Sequence, residues 1–150
     1  MTHAESDTDL TRLRVLLVDD NAALRGALRV SLQAFGCGEV IEADTVDRAF
    51  DVLDARPVDL IITDWKMQPR DGIDFVRVLR RSQRNGSRPH VPVIMLSAYS
   101  SSDRIDQASQ AGVDSFLVKP FTAATLAGSL RETLTRHTGP CARIPMASRH

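Results

Sequence analysis

Short apolar runs alternate with stretches of helical period along most of the chain. The runs are rich in β-branched residues and nearly continuous, which is typical of strands that are buried on both faces of a sheet. They read LRVLLV (13–18), EVIEA (39–43), VDLIIT (58–63), VPVIML (91–96) and DSFLV (114–118). The pattern therefore predicts five short strands.

Between the runs, apolar residues recur three and four positions apart, which predicts amphipathic helices. The stripes are Leu24, Leu28, Leu32 and Phe35; Val46, Ala49, Phe50 and Leu53; Ile73, Val76 and Leu79 with Phe75 alongside; Ile105, Ala108 and Gly112; and Ala123, Leu126, Ala127, Leu130 and Leu134. Gly36 and Gly38 end the first helix, and Thr45 suits the N-cap of the second. The fourth stripe is short and weakly apolar, which fits either an element that rearranges easily or a plain surface helix.

Five strand–helix units of this kind predict a parallel α/β sheet with helices on both faces. Ligands bind such sheets outside the carboxyl ends of the strands, where the strand order reverses. The units occupy residues 12–137, which we predict to be one domain. Residues 1–11 and 138–150 show no period and are predicted to be disordered tails.

Composition narrows the class of protein further. Apolar residues are 43% and charged residues 25%, with 19 Lys+Arg against 19 Asp+Glu, so no net charge draws the chain to nucleic acid or a membrane surface. We find no signal-peptide pattern and no run of membrane-spanning length. Cys37 and Cys141 match no metal or redox spacing. These features predict a soluble cytoplasmic domain with reduced thiols.

Polar residues follow the predicted strands at the edge where ligands bind. They are Asp19 and Asp20 after strand one, Asp64 after strand three, Ser97 after strand four and Lys119 after strand five. Singly, each has a structural alternative: Asp20 could be a helix N-cap, and Lys119 a surface lysine. Together, three carboxylates would raise one another's pKa unless a cation neutralised them, and all-oxygen ligands favour Mg²⁺. A metal, an ammonium group and a hydroxyl suit the binding of a phosphoryl group.

The stretches VLLVDDNAALRGAL, DLIITDWKMQPRDGIDFVRVLR, PVIMLSAY and AGVDSFLVKPF resemble a response-regulator receiver domain of the stand-alone, chemotaxis type. The resemblance covers about residues 12–136. It implies a flavodoxin-like, doubly wound sheet of five parallel strands in the order 2-1-3-4-5, with five helices. It also implies a bacterial two-component or phosphorelay protein without substrate turnover of its own.

The resemblance assigns the metal site and the phosphoacceptor. Asp64 would attack the phosphohistidine of a histidine kinase or phosphotransfer protein and form an aspartyl phosphate. Asp20 would bind Mg²⁺ directly and Asp19 through water. Asp64 and the carbonyl of Lys66 would complete the protein ligands.

The resemblance also assigns a switch. Lys119 would pair with a phosphoryl oxygen, Ser97 would hydrogen-bond another, and Phe116 would turn inward as Ser97 moves. The Lys119–Pro120 bond is expected to be cis, and Gly72 matches the turn that opens the third helix. Movement of the fourth helix, fifth strand and fifth helix would then change the surface offered to a downstream protein partner.

Two positions depart from the pattern common in that family. Lys66 stands two residues after Asp64, where acidic or small residues are frequent, and Gln68 stands where proline is usual, with Pro69 one later. We hypothesise that Lys66 and Tyr99 screen the acyl phosphate from water. The alternative is that both side chains point to solvent.

Charge is also uneven along the chain. Acids dominate residues 39–59 and bases dominate residues 66–88. Asp47, Asp51 and Asp54 share one face of the second helix, opposite its apolar stripe. These patches are either solvated faces or surfaces that orient a partner, and the second reading predicts binding that depends on ionic strength.

Two other functions remain open at this stage. A phosphohydrolase of the haloacid dehalogenase type also phosphorylates an aspartate after a strand, but it needs a second aspartate where Lys66 stands. A receiver-like scaffold that binds a partner without phosphorylation is the other. Nucleic-acid binding lacks both a binding domain and net positive charge.

Overall fold

The structure is a computed structural model that describes residues 10–138. Its centre is one parallel sheet of five strands in the order β2-β1-β3-β4-β5. The strands are β1 (Arg14–Val18), β2 (Glu39–Ala43), β3 (Leu60–Asp64), β4 (Val93–Ser97) and β5 (Ser115–Val118). The predicted flavodoxin-like order is therefore confirmed.

Strands β3 and β4 begin two residues later than the hydrophobic pattern predicts. Before β3, the carboxylate of Asp59 accepts a hydrogen bond from the backbone N–H of Arg14 at 2.8 Å, so a side chain takes the place of a strand partner. Before β4, Pro92 has no N–H to donate to a neighbouring strand. The shift makes Asp64 and Ser97 the last residues of their strands.

Four helices connect the strands, and a fifth follows the last strand. They are α1 (Ala22–Ala34), α2 (Val46–Ala55), α3 (Gly72–Arg84), α4 (Ser102–Ala111) and α5 (Ala123–Thr138). Side chains cap their first turns as the sequence requires. Thr45 accepts the N–H of Arg48 at 3.1 Å, and Asp71 accepts the N–H of Asp74 at 2.9 Å. These contacts satisfy N–H groups that have no partner inside the helix.

The sheet has a separate apolar core on each face. Leu16, Ile61 and Met95 pack with α2, α3 and α4 on one face. Leu17 and Ile62 pack with α1 and α5 on the other. Because β3 and β4 are buried along their whole length, the two cores hold their final residues at a defined position.

The ends of the predicted domain lie close to those of the described chain. Leu10–Arg12 form a short 3-10 helix, and the carbonyl of Leu10 accepts hydrogen bonds from Leu13 and Gly38. The predicted tails otherwise lie outside the described residues. Within residues 10–138, no helix is long and apolar enough to cross a membrane.

The buried side chain of Arg80 connects α3 with the end of α4 and with the segments that precede β4 and β5. Arg80 donates from Nη2 to Asp114 at 2.8 Å, from Nε to the carbonyl of Gly112 at 3.0 Å, and from Nη1 to the carbonyl of Val91 at 2.7 Å. Burial lowers the pKa of this guanidinium, and the nearby Asp114 opposes that effect. Since Gly112 is the C-cap of α4, Arg80 fixes the C-terminal end of that helix.

The two charge patches partly neutralise each other. Arg70 pairs with Asp47 at 2.8 Å, and Arg88 pairs with Asp54 at 2.7 Å. These contacts tie α2 to the segments on either side of α3. The orientation of a partner by these patches stays a prediction. It would depend on charged residues outside these two ion pairs, such as the exposed Asp51.

Candidate functional site

The carboxyl edge of the sheet brings Asp64, Ser97 and Lys119 together. Asp64 ends β3, Ser97 ends β4, and Lys119 follows β5. Nζ of Lys119 lies 2.8 Å from Oδ1 of Asp64, and the carboxylate is only 7% exposed. A nearly buried carboxylate therefore faces a cation across the end of the intervening strand.

Asp19 lies beside Asp64 and is more deeply buried, at 1% exposure. Its Oδ1 accepts the N–H of Asn21 at 2.9 Å, whereas Oδ2 is buried without a hydrogen-bond partner. Burial, together with the negative charge of Asp64, raises the pKa of Asp19 to about 6. An unpartnered carboxylate oxygen next to a second carboxylate fits a site for a hard cation.

The remaining predicted metal ligands differ from Asp19 in their surroundings. The side chains of Asp20 and Lys66 are exposed. Within residues 10–138, no three His, Cys, Asp or Glu side chains are placed so that they alone could hold a metal ion. A bound Mg²⁺ would therefore need carbonyl and water oxygens as well, which is how Mg²⁺ is usually held.

The loop after Asp64 is closed by Gly72, the first residue of α3. The N–H of Gly72 donates to the carbonyl of Trp65 at 2.8 Å. A Cβ atom on Gly72 would lie 2.3 Å from the carbonyl oxygen of Asp64, closer than any real contact. Only glycine therefore lets α3 approach the backbone of the predicted phosphoacceptor.

The hydroxyl of Ser97 is engaged with its own loop. It donates to the carbonyl of Tyr99 and accepts the N–H of Tyr99, both at 3.0 Å. The carbonyl of Ser97 also accepts the N–H of Lys119 at 2.8 Å, which fixes the lysine relative to β4. Ser97 thus lies at the predicted place, with its proton committed to the Tyr99 carbonyl.

Phe116, the predicted switch residue, is half-buried on β5 and packs against the core on the α3–α4 side. Its ring meets the ring of Trp65 edge to face, with centroids 6.2 Å apart. The Lys119–Pro120 bond is cis, as expected, and the Gln68–Pro69 bond is cis as well.

Two residues near the site, Trp65 and Arg104, were not predicted from the sequence. Trp65 is buried directly after Asp64, and the guanidinium of Arg104, from the first turn of α4, lies over its ring. Trp65, which follows the predicted phosphoacceptor, could have been noticed in the sequence as the only tryptophan of the chain. Nothing in the local pattern of α4 indicates where Arg104 points, because its partners come from distant loops.

Taken together, the site offers a carboxylate that can act as a nucleophile, a neighbouring lysine that can neutralise an anion, and a hydroxyl that can donate one hydrogen bond. Two of the carboxylates can bind a hard cation. This set of groups suits phosphoryl transfer to Asp64.

Comparison with known proteins supports the same conclusion. Residues 15–131 match the family model of the response regulator receiver domain. The chemotaxis protein CheY of Pseudomonas aeruginosa is 35% identical over 127 residues, which are 85% of this chain and all of that protein. The KDP operon transcriptional regulatory protein KdpE of Escherichia coli is 41% identical over 133 residues, but these are only 56% of its length.

Solved structures agree with the sequence relatives. The chemotaxis protein CheY4 of Vibrio cholerae superimposes with a TM-score of 0.73 at 31% identity, covering 82% of this chain and 99% of that one. A response regulator receiver protein of Pseudomonas putida gives 0.71 at 32% identity, covering 81% and 97%. Sequence, fold and site therefore lead to one assignment: this chain belongs to the response regulator receiver domain family, the phosphoacceptor signalling modules of two-component systems.

Proposed function

We propose that Asp64 of this chain accepts a phosphoryl group from the phosphohistidine of a histidine kinase or phosphotransfer protein. A carboxylate oxygen of Asp64 forms the new P–O bond while the P–N bond to the donor histidine breaks, and the departing imidazole takes up a proton. The observation that carries this proposal is the contact between the Asp64 carboxylate and the Lys119 ammonium group, which lie 2.8 Å apart at the carboxyl edge of the sheet.

Lys119 would serve both before and after the transfer. Before it, the ammonium group balances the charge of the buried Asp64 carboxylate. During it, negative charge spreads over the phosphoryl oxygens, and a fixed cation at this distance stabilises that charge. The backbone hydrogen bond from Lys119 to Ser97 keeps the lysine in place, so little reorganisation is needed.

We further propose that Asp19, Asp20, Asp64 and the carbonyl of Lys66 hold Mg²⁺, which receiver domains generally bind. The buried, unpartnered Oδ2 of Asp19 supports this choice of site. When bound, the cation would neutralise the carboxylates and the incoming phosphoryl oxygens. The chain's own contribution is to hold Asp19 in a fixed orientation through its hydrogen bond from Asn21.

The downstream effect would be a shift between two arrangements. A phosphoryl group on Asp64 adds negative charge and new acceptor oxygens beside Ser97. Ser97 and Phe116 would then move, and with them the surface formed by α4, β5 and α5, where a downstream protein binds. The weak attachment of α4 supports this, since Ala108 and Ala111 are its only buried side chains.

The test is the intact mass of the chain after incubation with Mg²⁺ and acetyl phosphate, a small phosphodonor. One added phosphoryl group is expected on the wild type and none on Asp64→Asn or in the presence of a chelator. If the folded wild-type chain gains no mass and binds no stable phosphoryl mimic, a phosphorylation-independent scaffold becomes the better interpretation.

A further inference from the structure

The guanidinium of Arg104 lies between two aromatic rings from different loops. Its Cζ atom is 4.8 Å from the centroid of the Trp65 ring and 4.8 Å from the centroid of the Tyr99 ring. Cations within about 6 Å of an aromatic face are attracted to it. In the described part of the chain, no carboxylate lies within ion-pair distance of Arg104, so the two rings are its side-chain partners there.

Each ring is connected through its backbone to a residue of the phosphoacceptor site. Trp65 follows Asp64 directly, and its N–H donates to the carbonyl of Leu96 at 2.9 Å. Tyr99 is bonded through both its N–H and its carbonyl to the hydroxyl of Ser97. Arg104 therefore lies where the loop after Asp64 and the loop after Ser97 meet.

Arg104 is also the main attachment of the first half of α4. Among residues 102–107, it alone is withdrawn from solvent, and Ile105 is 41% exposed. The buried alanines, Ala108 and Ala111, lie in the second half. The N-terminal half of α4 therefore buries little apolar area. The contacts of Arg104 with Trp65 and Tyr99 are its main attachment to the rest of the fold.

We propose that Arg104 is a positioning residue that holds α4 and the Ser97 hydroxyl in the unphosphorylated arrangement, and that phosphorylation of Asp64 releases it. This inference rests on the proposed function of Asp64 and Ser97. The Ser97 hydroxyl has one proton to donate. When that proton turns to a phosphoryl oxygen, the hydrogen bond to the Tyr99 carbonyl is lost, Tyr99 moves, and its ring leaves Arg104.

Removing the cation should therefore favour the released arrangement before any phosphorylation. The loss of two partly exposed cation–π contacts should raise the ratio of the released to the unphosphorylated arrangement about fivefold. Arg104→Met keeps a long, flexible side chain without the charge, and Arg104→Lys keeps the charge without the planar group. Arg77→Met is the matched control, because Arg77 is an exposed arginine on α3 without an ion pair in the described residues.

The readout is the fluorescence of Trp65, the only tryptophan of the chain. Each variant is titrated with fluoroberyllate, a stable phosphoryl mimic, in Mg²⁺. We expect Arg104→Met to bind the mimic up to about fivefold more tightly than the wild type. Arg104→Lys should fall between them, and Arg77→Met should match the wild type. A merely damaged site would bind the mimic more weakly instead.

The proposal is overturned if Arg104→Met keeps the wild-type affinity and the wild-type change in fluorescence, or if it binds more weakly. Intact mass after acetyl phosphate treatment separates this failure from that of the proposed function. If the wild type and Arg104→Met both gain a phosphoryl group and yet respond alike, only the role of Arg104 is wrong. If neither gains mass, nor does either bind the mimic, the function proposed for Asp64 fails and this inference fails with it.

Discussion

The side chain of Lys119 reaches past the end of β4 to contact Asp64 at 2.8 Å. Two strands that are not neighbours, β3 and β5, are thereby linked by one ion pair at the ligand-binding edge. Ser97 ends the strand between them, so any group that binds to Asp64 lies close to both Lys119 and the Ser97 hydroxyl.

Replacing Lys119 should slow phosphorylation more than it affects folding. In Lys119→Met, the developing phosphoryl charge loses its fixed cation, so we expect the rate of acyl phosphate formation to fall at least about tenfold. The rate is measured from intact mass against time with acetyl phosphate. Arg77→Met, which removes an exposed cation with no ion pair in the described residues, is the control, and an equal effect in both variants would contradict a specific role for Lys119.

In the metal-free protein, ionisation of Asp19 should lower the free energy of unfolding as the pH rises. Its pKa is raised from 3.8 to about 6, so the folded state binds the proton more tightly than the unfolded state. Stability from this group is complete below pH 4 and is lost as the pH rises to about 6 and above, by on the order of 2 kcal/mol. Urea unfolding in a chelator should show this fall in the wild type and a flatter profile in Asp19→Asn.

The same variant tests the metal site. If Asp19 is a ligand, Mg²⁺ should raise the melting temperature of the wild type at pH 8 and have little effect on Asp19→Asn. An equal shift in both proteins would show that the cation binds elsewhere.

Arg80 should be essential for stability although it lies far from the site. Arg80→Ala removes the ion pair with the mostly buried Asp114 and the bonds to two carbonyl groups, which costs about 3 kcal/mol. Its neighbour Arg81 is exposed and has no ion pair in the described residues, so Arg81→Ala should change the free energy of unfolding by less than about 0.5 kcal/mol. Urea unfolding of both variants makes the comparison, and equal values would contradict it.

Gly72→Ala should damage both stability and phosphorylation. The added Cβ would meet the carbonyl oxygen of Asp64 at 2.3 Å, so the loop after Asp64 must move. We expect a loss of about 2 kcal/mol in unfolding free energy and slower gain of mass with acetyl phosphate. Gly128→Ala, where nothing lies within 4 Å of the new atom, is the control. A phosphorylation rate in Gly72→Ala equal to that of the control would show that the loop tolerates the shift.

Lys66 and Tyr99 are expected to prolong the life of the acyl phosphate. Lys66 is exposed and lies two residues after Asp64, and Tyr99 is exposed and lies two residues after Ser97. Lys66→Ala and Tyr99→Ala should each open a path for water and shorten the phosphorylated lifetime severalfold. Lifetimes follow from loss of mass after the donor is removed, and values equal to the wild type would place both side chains in solvent.

The strands and the polar residues at their ends were accessible from the sequence because they rest on local features. Continuous apolar runs identified the strands, and polar residues at their ends identified Asp64, Ser97 and Lys119. The resemblance to receiver domains supplied the strand order. The strands and the residues at their ends required only the period of the pattern and the rule that ligands bind at the carboxyl edge.

The contacts that the sequence could not predict are those between distant side chains. Arg80 is polar and stands on a helix, so its pattern resembles that of a surface residue, yet its long side chain reaches Asp114. Arg104 finds Trp65 and Tyr99 for the same reason. The pairing of Arg70 with Asp47 likewise depends on how α2 lies beside α3, which no local period encodes.

The Arg80 network has a mechanical consequence for α4. Because Arg80 donates a hydrogen bond to the carbonyl of Gly112, the C-terminal end of the helix would act as a pivot. The N-terminal end would be free to move once Arg104 leaves the ring of Tyr99. A ten-residue helix is about 15 Å long, so a rotation of roughly 10° would move its first turn by about 2.5 Å. The helix would then act as a lever, turning a small displacement beside Asp64 into a change of shape large enough for another protein to detect.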